Sequence, residues 1–291
     1  MTPQDPEAGQ VPENLPGLTD PQELREFERR MAFVRVNELD RNPDLVTGDF
    51  DFPHLQRIHA YILQDVYPWA GEPRRYGQET MAMGMPHCRA EFLDAEIRRV
   101  FTAIDRHPPS PTDRAAAVAT IADHWGELTG VHPFRDGNSR SQRLFFDRYL
   151  RQSGWALDWT QIDASAVHAA RHVAMATVDS SYLAATLRPG IHRLGEVPTG
   201  TLIATQDTRD ASRSVEIFRA MIDHKRAGRT ADTFTLFPRE TSAETPAQRA
   251  ARIASRGVSR GSPPAGSSAT ASSQRPRTAP QSPSPSQDRG R

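Results

Sequence analysis

Twelve consecutive residues, His132-Pro133-Phe134-Arg135-Asp136-Gly137-Asn138-Ser139-Arg140-Ser141-Gln142-Arg143, concentrate the side chains with which this chain could do chemistry. Gly137 and Asn138 are the residue types that most readily take positive φ, so Asp136–Ser139 can curl into a nest of backbone N–H groups. The nest runs into a helix predicted to start near Arg140, whose first amides and dipole also attract an anion. Arg140 and Arg143 are spaced i, i+3 and project from one helical face. Two guanidinium forks beside such a nest suit a polyphosphate better than a lone carboxylate. Asp136, at the mouth of the nest, is placed to hold Mg²⁺ against a phosphate chain. His132 is the nearby group that exchanges a proton near neutral pH. Each feature alone is common in helical proteins. Their assembly within twelve residues describes a phosphoryl- or nucleotidyl-transfer site.

The surrounding chain reads as helix after helix. Asp20 caps a run from Pro21 to Leu39, with Leu24, Phe27, Met31, Val34 and Leu39 spaced for one buried face. Further helices are predicted over His54–Leu63, Phe92–Ile104, Asp113–Leu128, Arg140–Arg151, Ile162–Leu187 and Ala211–Lys225. Only Arg74–Met85 breaks the pattern, with Met81, Met83 and Met85 alternating as in a β-hairpin. The expected fold is an all-α bundle carrying one short hairpin. Trp155 and Trp159 are expected to pack the helix that follows them. His168, Arg171 and His172 read as surface or core-edge residues, and Cys88 as a small buried hydrophobe. His124, Glu127 and His132 lack the HExxH spacing of a metal site.

Composition sets the outer limits. Lys+Arg and Asp+Glu both total 36 in 291 residues, so a strongly basic nucleic-acid binder is not expected. A single cysteine excludes a disulfide framework within the chain, and no apolar run reaches the roughly 18 residues of a membrane span. The first residues lack the basic and apolar regions of a secretory signal, so a reducing, cytoplasmic setting is expected. From Arg239 to Arg291 there is no aromatic and no leucine, and seven prolines interrupt the stretch. Such a segment buries too little apolar surface to offset the entropy of ordering, so a disordered tail is expected. Its nine arginines against three acids give it a basic character suited to an anionic partner or a transport address. The expected organisation is a loose segment over 1–17, a main domain over 18–190, a helical extension over 191–238 and the tail over 239–291.

The motif resembles the active-site sequence of the Fic (filamentation induced by cAMP) family, His-x-Phe-x-Asp/Glu-Gly-Asn-Gly-Arg-x-x-Arg. Three further stretches resemble family landmarks in the expected order: Leu18-Thr19-Asp20-Pro21, the run from Ile58-His59 to Asp65-Val66-Tyr67-Pro68-Trp69-Ala70-Gly71, and Gly154-Trp155 with Leu157-Asp158-Trp159. The similarity covers roughly residues 18–190. It implies a helical enzyme that moves AMP from ATP to a hydroxyl side chain of a target protein and releases pyrophosphate. By that resemblance His132 is the base that deprotonates the attacking Tyr, Thr or Ser hydroxyl, and Phe134 is a buried anchor for the loop. Asp136 binds Mg²⁺, while Gly137, Asn138 and the neighbouring Ser139 shape the anion nest. Arg140 and Arg143 grip the β- and γ-phosphates. The Arg74–Met85 hairpin, including Arg75, Tyr76, Met81 and Met83, resembles the flap that docks the target by strand addition.

Two departures from the family pattern matter. Ser139 stands where the second glycine of Gly-Asn-Gly is usual, which opens the alternatives of another transferred group or a non-catalytic binding module. The inhibitory pattern Ser/Thr-x-x-x-Glu-Gly/Asn is also missing: Glu13-Asn14 has Gly9 four residues before it, and Thr19-x-x-x-Glu23 is followed by Leu24. A separate small antitoxin supplying a glutamate to Arg143 is therefore expected. The chain would act as a toxin or as an effector, with delivery to another cell as a further possibility.

Overall fold

The computed structural model describes residues 11–197 and 210–238, which are predominantly helical. Helix α1 (Pro21–Arg41) starts where Asp20 accepts hydrogen bonds from the amides of Gln22 and Glu23, with Pro21 in the first turn. Its buried stripe is Leu24, Glu28, Ala32, Val36 and Leu39. Val34, expected in that stripe, is 45 % exposed. Leu24 and Leu39 lie in the stripe as expected and Phe27 and Met31 pack half-buried against the core, while Glu28 and Ala32 take inward positions that apolar spacing does not mark.

Helix α2 (Phe52–Leu63) packs between α1 and α5 (Asn138–Gln152). Helices α3 (Leu93–Arg106) and α4 (Arg114–Val131) follow, and α4 lies against α3, α5, α6 (Ala164–Thr177) and α7 (Ser181–Leu187). The buried positions of α4 therefore cover more than half its circumference at 100° per residue. Trp125 of α4 stacks on Phe146 of α5 at a centroid distance of 5.2 Å, near the centre of the core. Helix α8 (Ala211–Arg226) packs onto α6 and is pinned by Arg213, whose guanidinium lies 2.9 Å from Asp163.

The hairpin is present and is short. Strand β1 (Met81–Ala82) pairs antiparallel with β2 (Met85–Pro86), with Met81 opposite Pro86 and Ala82 opposite Met85. Met83 is part of the turn, not of the strand alternation. It has φ of 53° and Gly84 has φ of 77°, the paired positive values of a two-residue turn that matches strand twist.

Two features depart from the sequence reading. The helix expected over Ile162–Leu187 is divided at Val178, which has φ of 53° and is 87 % exposed. A β-branched residue is costly in that conformation, so helical periodicity alone did not mark the break. A second strand pair was also unforeseen: β3 (Trp155–Leu157) runs antiparallel to β4 (Ile191–Arg193), with Ala156 opposite His192. Trp155 consequently lies in a strand, beneath the Arg193 guanidinium at 3.9 Å.

Described residues up to Phe237 belong to one compact unit, with no packing break at 190. Residues 11–17 are tied in as well, Leu15 N–H donating to the carbonyl of Val66 at 2.8 Å. The expected tail over 239–291 lies outside the described residues. Among the described residues, no helix is long and apolar enough to cross a membrane.

Candidate active site

The motif is a bend between α4 and α5. His132 ends α4 in the left-handed conformation (φ 48°, ψ 63°), with its amide still donating to the carbonyl of Leu128 at 3.1 Å. The last carbonyls of a helix lack intrahelical donors, and Arg74 supplies them here. Its Nε donates to the carbonyl of His132 at 2.7 Å, and Nη2 donates to the carbonyls of Val131 and Cys88. Backbone bonds from Arg74 to Pro133 and from Cys88 to Gly130, each 2.8 Å, fasten both arms of the flap to the bend. Arg74 is only 3 % exposed, so its side chain is a clamp and is not presented for docking. Arg75, Tyr76 and Met81 are exposed, Tyr76 to 87 % and Met81 to 69 %.

Phe134 is fully buried and stacks on His59 of α2 at 3.8 Å between centroids. Asn138 closes the loop from the other side. Its Nδ2 donates to the carbonyl of Phe134 at 2.7 Å, and its Oδ1 accepts from the Phe134 amide at 3.0 Å. His59 Nδ1 accepts from the amide of Gly71 at 2.8 Å, so the tautomer that fits carries its proton on Nε2 and donates to the carbonyl of Asp136 at 2.8 Å. Burial pulls the His59 pKa down to about 4, below its ordinary 6.5.

The unfolded chain binds a proton on His59 between those values and the folded chain does not. Stability is therefore complete above pH 6.5 and declines as the pH falls towards 4. His59 alone should remove about 3 kcal/mol over that window, read as the urea midpoint against pH. A midpoint unchanged between pH 7 and 4.5 would contradict the neutral, buried ring.

Gly137 precedes α5 with φ of 75°. A Cβ there would lie 2.5 Å from Leu63 Cδ1 and 3.0 Å from His59 Nε2. Glycine is required on both counts, because neither the conformation nor the space admits a side chain. Gly137→Ala should cost about 1–3 kcal/mol and weaken nucleotide binding by displacing the nest, measurable by denaturation and by ATP titration. Gly137 also offers no capping side chain to the first amides of α5. A helix start of this kind is suited to an anion.

The two motif arginines lie in different settings. Arg140 Nη2 donates to Glu28 Oε1 and sits 3.6 Å from Asp136, and Glu28 also accepts from the Tyr67 hydroxyl at 2.7 Å. Burial raises the Glu28 carboxyl pKa and Arg140 opposes that rise. A glutamate thus does reach the cavity, but it comes from α1 and meets Arg140. Glu23, the residue with the inhibitory spacing, is exposed. Arg143 is nearly buried, with its guanidinium 4.9 Å above the Trp159 ring.

Ser139 does not stand alone in place of a glycine. Its Oγ accepts from Arg171 Nη2 at 3.2 Å, and Arg171 Nη1 donates to Gln142 Oε1 at 2.9 Å. Arg171 and His172 are 3 % and 1 % exposed and line the same cavity as the motif, which corrects their reading as surface or core-edge residues. His87, from the flap arm, stacks on His132 at 3.7 Å. Arg171 and His172 carry no sequence signal, because a polar residue on an amphipathic helix is ordinarily taken for the solvent side, and His87 lies in a loop that no periodicity marks. His124 has no such role; its Nε2 bonds the His107 carbonyl at 2.8 Å. Cys88 is half-buried, and its carbonyl serves the Arg74 clamp.

These groups enclose a cavity of about 520 Å³ beneath the flap. Arg25, Arg29, Arg140, Arg143 and Arg171 line it against two carboxylates, Glu28 and Asp136. Burial and the cationic neighbours Arg171 and Arg74, together with His87 and His172, hold His132 well below its ordinary pKa, so at neutral pH its ring is unprotonated. The Asp136 side chain is 58 % exposed at the lip. Among the described residues no cluster of three or more His, Cys, Asp or Glu could enclose a metal. The Asp136 carboxylate at the lip of this arginine-lined cavity fits Mg²⁺, which is commonly held by one or two carboxylates together with substrate phosphates.

The model of the Fic/DOC family matches residues 49–150. A probable protein adenylyltransferase, y4lH of Sinorhizobium fredii, is 33 % identical over 154 residues, covering 52 % of this chain and 76 % of that protein. The protein adenylyltransferase VbhT of Bartonella schoenbuchensis is 30 % identical over 171 residues, covering 55 % of this chain and 32 % of the longer relative. Among solved structures, BepC of Bartonella tribocorum, a translocated effector with bound AMPPNP, superposes with a TM-score of 0.57 at 20 % identity. That match covers 64 % of this chain and 95 % of BepC and shows a shared fold.

Proposed function

This chain belongs to the Fic/DOC family, and we propose that it is a protein adenylyltransferase that moves AMP from Mg-ATP to a Tyr, Thr or Ser hydroxyl of a target protein. The observation that carries this reading is the meeting, in one cavity, of an unprotonated histidine, a helix start suited to an anion and several guanidinium groups. The acceptor oxygen attacks the α-phosphorus, its proton passes to His132, and the α–β bridging bond breaks to release pyrophosphate. Arg140, Arg143 and the first amides of α5 hold the β- and γ-phosphates, with Glu28 fixing the direction of Arg140. Asp136 would hold the Mg²⁺, which supplies charge neutralisation along the phosphate chain when bound. The triphosphate brings negative charge beside His132 and so raises the basicity that burial lowers.

The flap residues Arg75, Tyr76, Met81 and Met83 support docking of the target as an added strand along the hairpin. A separate antitoxin would act by directing a glutamate at Arg143. The chain would then serve as a toxin, or as an effector delivered to another cell; the structurally similar BepC is itself described as a translocated effector. A partner of this kind is not needed if removing residues 1–20 from an inert purified chain restores transfer.

The direct test incubates the full chain with a target lysate and ATP labelled at either the α or the γ position. Label from the α position on protein is the expected result. Label from γ alone makes the chain a kinase and overturns AMP transfer. Absence of both labels leaves a binding module.

A further inference from the structure

We propose that His87 is a positioning residue for the catalytic base, holding the His132 ring in its working orientation and making that orientation depend on the flap. The inference rests on the transferase reading above. A general base needs a third group to fix its ring, ordinarily through a hydrogen bond to the nitrogen remote from the reaction. His132 Nδ1 is buried and has no hydrogen-bond partner among the described residues. What holds the ring is a face: the imidazole of His87 lies parallel to it, at 3.7 Å between centroids and 9° between planes.

His87 is itself anchored at two points. Its amide donates to the carbonyl of Thr80 at 3.0 Å, and its Nδ1 lies 3.0 Å from Thr80 Oγ1. Both bonds cross the flap immediately beside the β1–β2 pair. The His172 ring lies 6.0 Å away at 50°, on α6. The chain of contact therefore runs from the hairpin through Thr80 and His87 to the base. A strand laid against the hairpin edge would set the hairpin and so set the base. The orientation matters because His132 occupies a left-handed conformation, costing about 1–2 kcal/mol, that its neighbours must maintain. Arg74 holds the backbone of that residue and His87 holds the ring.

The test uses the full chain, with kcat and KM measured by transfer of α-label to protein, and ATP affinity measured separately by titration. His87→Ala should lower kcat by about 10- to 100-fold while leaving ATP affinity within about twofold, because a base misplaced by about an ångström loses the reaction and not the phosphate contacts. His87→Phe, which keeps a flat ring in the same place, should recover most of the loss. Thr80→Val, which removes the side-chain anchor and keeps both the backbone bond and the ring, should fall between the two, and it decides the matter if His87→Ala does not fold. In proton NMR, the Hε1 resonance of His132 should shift in His87→Ala, since the stacked ring current is gone.

Wild-type kcat in the folded His87→Ala or Thr80→Val chain overturns the proposal. So does a His87→Phe chain as slow as the alanine variant, or a parallel loss of ATP affinity. A wild-type chain that transfers no label at all instead overturns the transferase reading, and the NMR shift then still reports whether the stack exists.

Discussion

Replacing His132 by alanine should reduce AMP transfer by about 10²–10⁴-fold, equivalent to about 3–5 kcal/mol of transition-state stabilisation, and leave ATP binding nearly unchanged. The separation follows from where the groups lie. The phosphate chain is assigned to Arg140, Arg143 and the first turn of α5, none of which bonds to the His132 side chain. His132 also caps α4 in a left-handed conformation that alanine tolerates poorly. His132→Asn removes the base while accepting that backbone, so it should be as slow as alanine with less loss of stability. Rates are to be taken from single-turnover transfer of α-labelled AMP, and affinities from calorimetric titration of ATP. Wild-type transfer in His132→Asn would refute the assigned base.

The largest effect on stability is expected at Phe134. Its ring is completely buried and stacked on His59, and both polar groups of its backbone are bound to the Asn138 side chain. Phe134→Ala should cost about 3–5 kcal/mol, the lost transfer energy and a cavity that the stacked His59 cannot fill. Phe134→Leu keeps most of the volume and should cost about 1 kcal/mol. Urea denaturation of the two variants checks both numbers. Because His59 also bonds the carbonyl of Asp136, the alanine variant should lose ATP affinity even where it remains folded. A Phe134→Ala chain with unaltered ATP affinity would show that the anchor and the nest are independent.

What could be read in advance divides along a physical line. Residues acting within a few positions of one another announced themselves: the left-handed Gly137, the helix start after it and the cap Asp20 all follow from local conformation. Most helices were visible through apolar spacing for the same reason. Groups that reach the cavity by tertiary folding were not visible. Glu28 comes from 112 residues away in sequence from Arg140, and Arg171 from 32 residues away from Ser139. His87 arrives through a hairpin whose turn, Met83-Gly84, looked like part of a strand. The β3–β4 pair escaped because its strands are three residues each, too short for an alternating pattern to establish itself.

The walls contributed by α1 and α6 bear on how the molecule can be cut. The recognisable core of the family ends at residue 150 and begins at 49, so it excludes both Glu28 and the Arg171–His172 pair. A fragment trimmed to that core would keep every letter of the twelve-residue signature, yet it would lose the acid that steers Arg140 and the guanidinium that meets Ser139. Recognition of a signature and possession of a working chamber are, in this protein, properties of different lengths of chain.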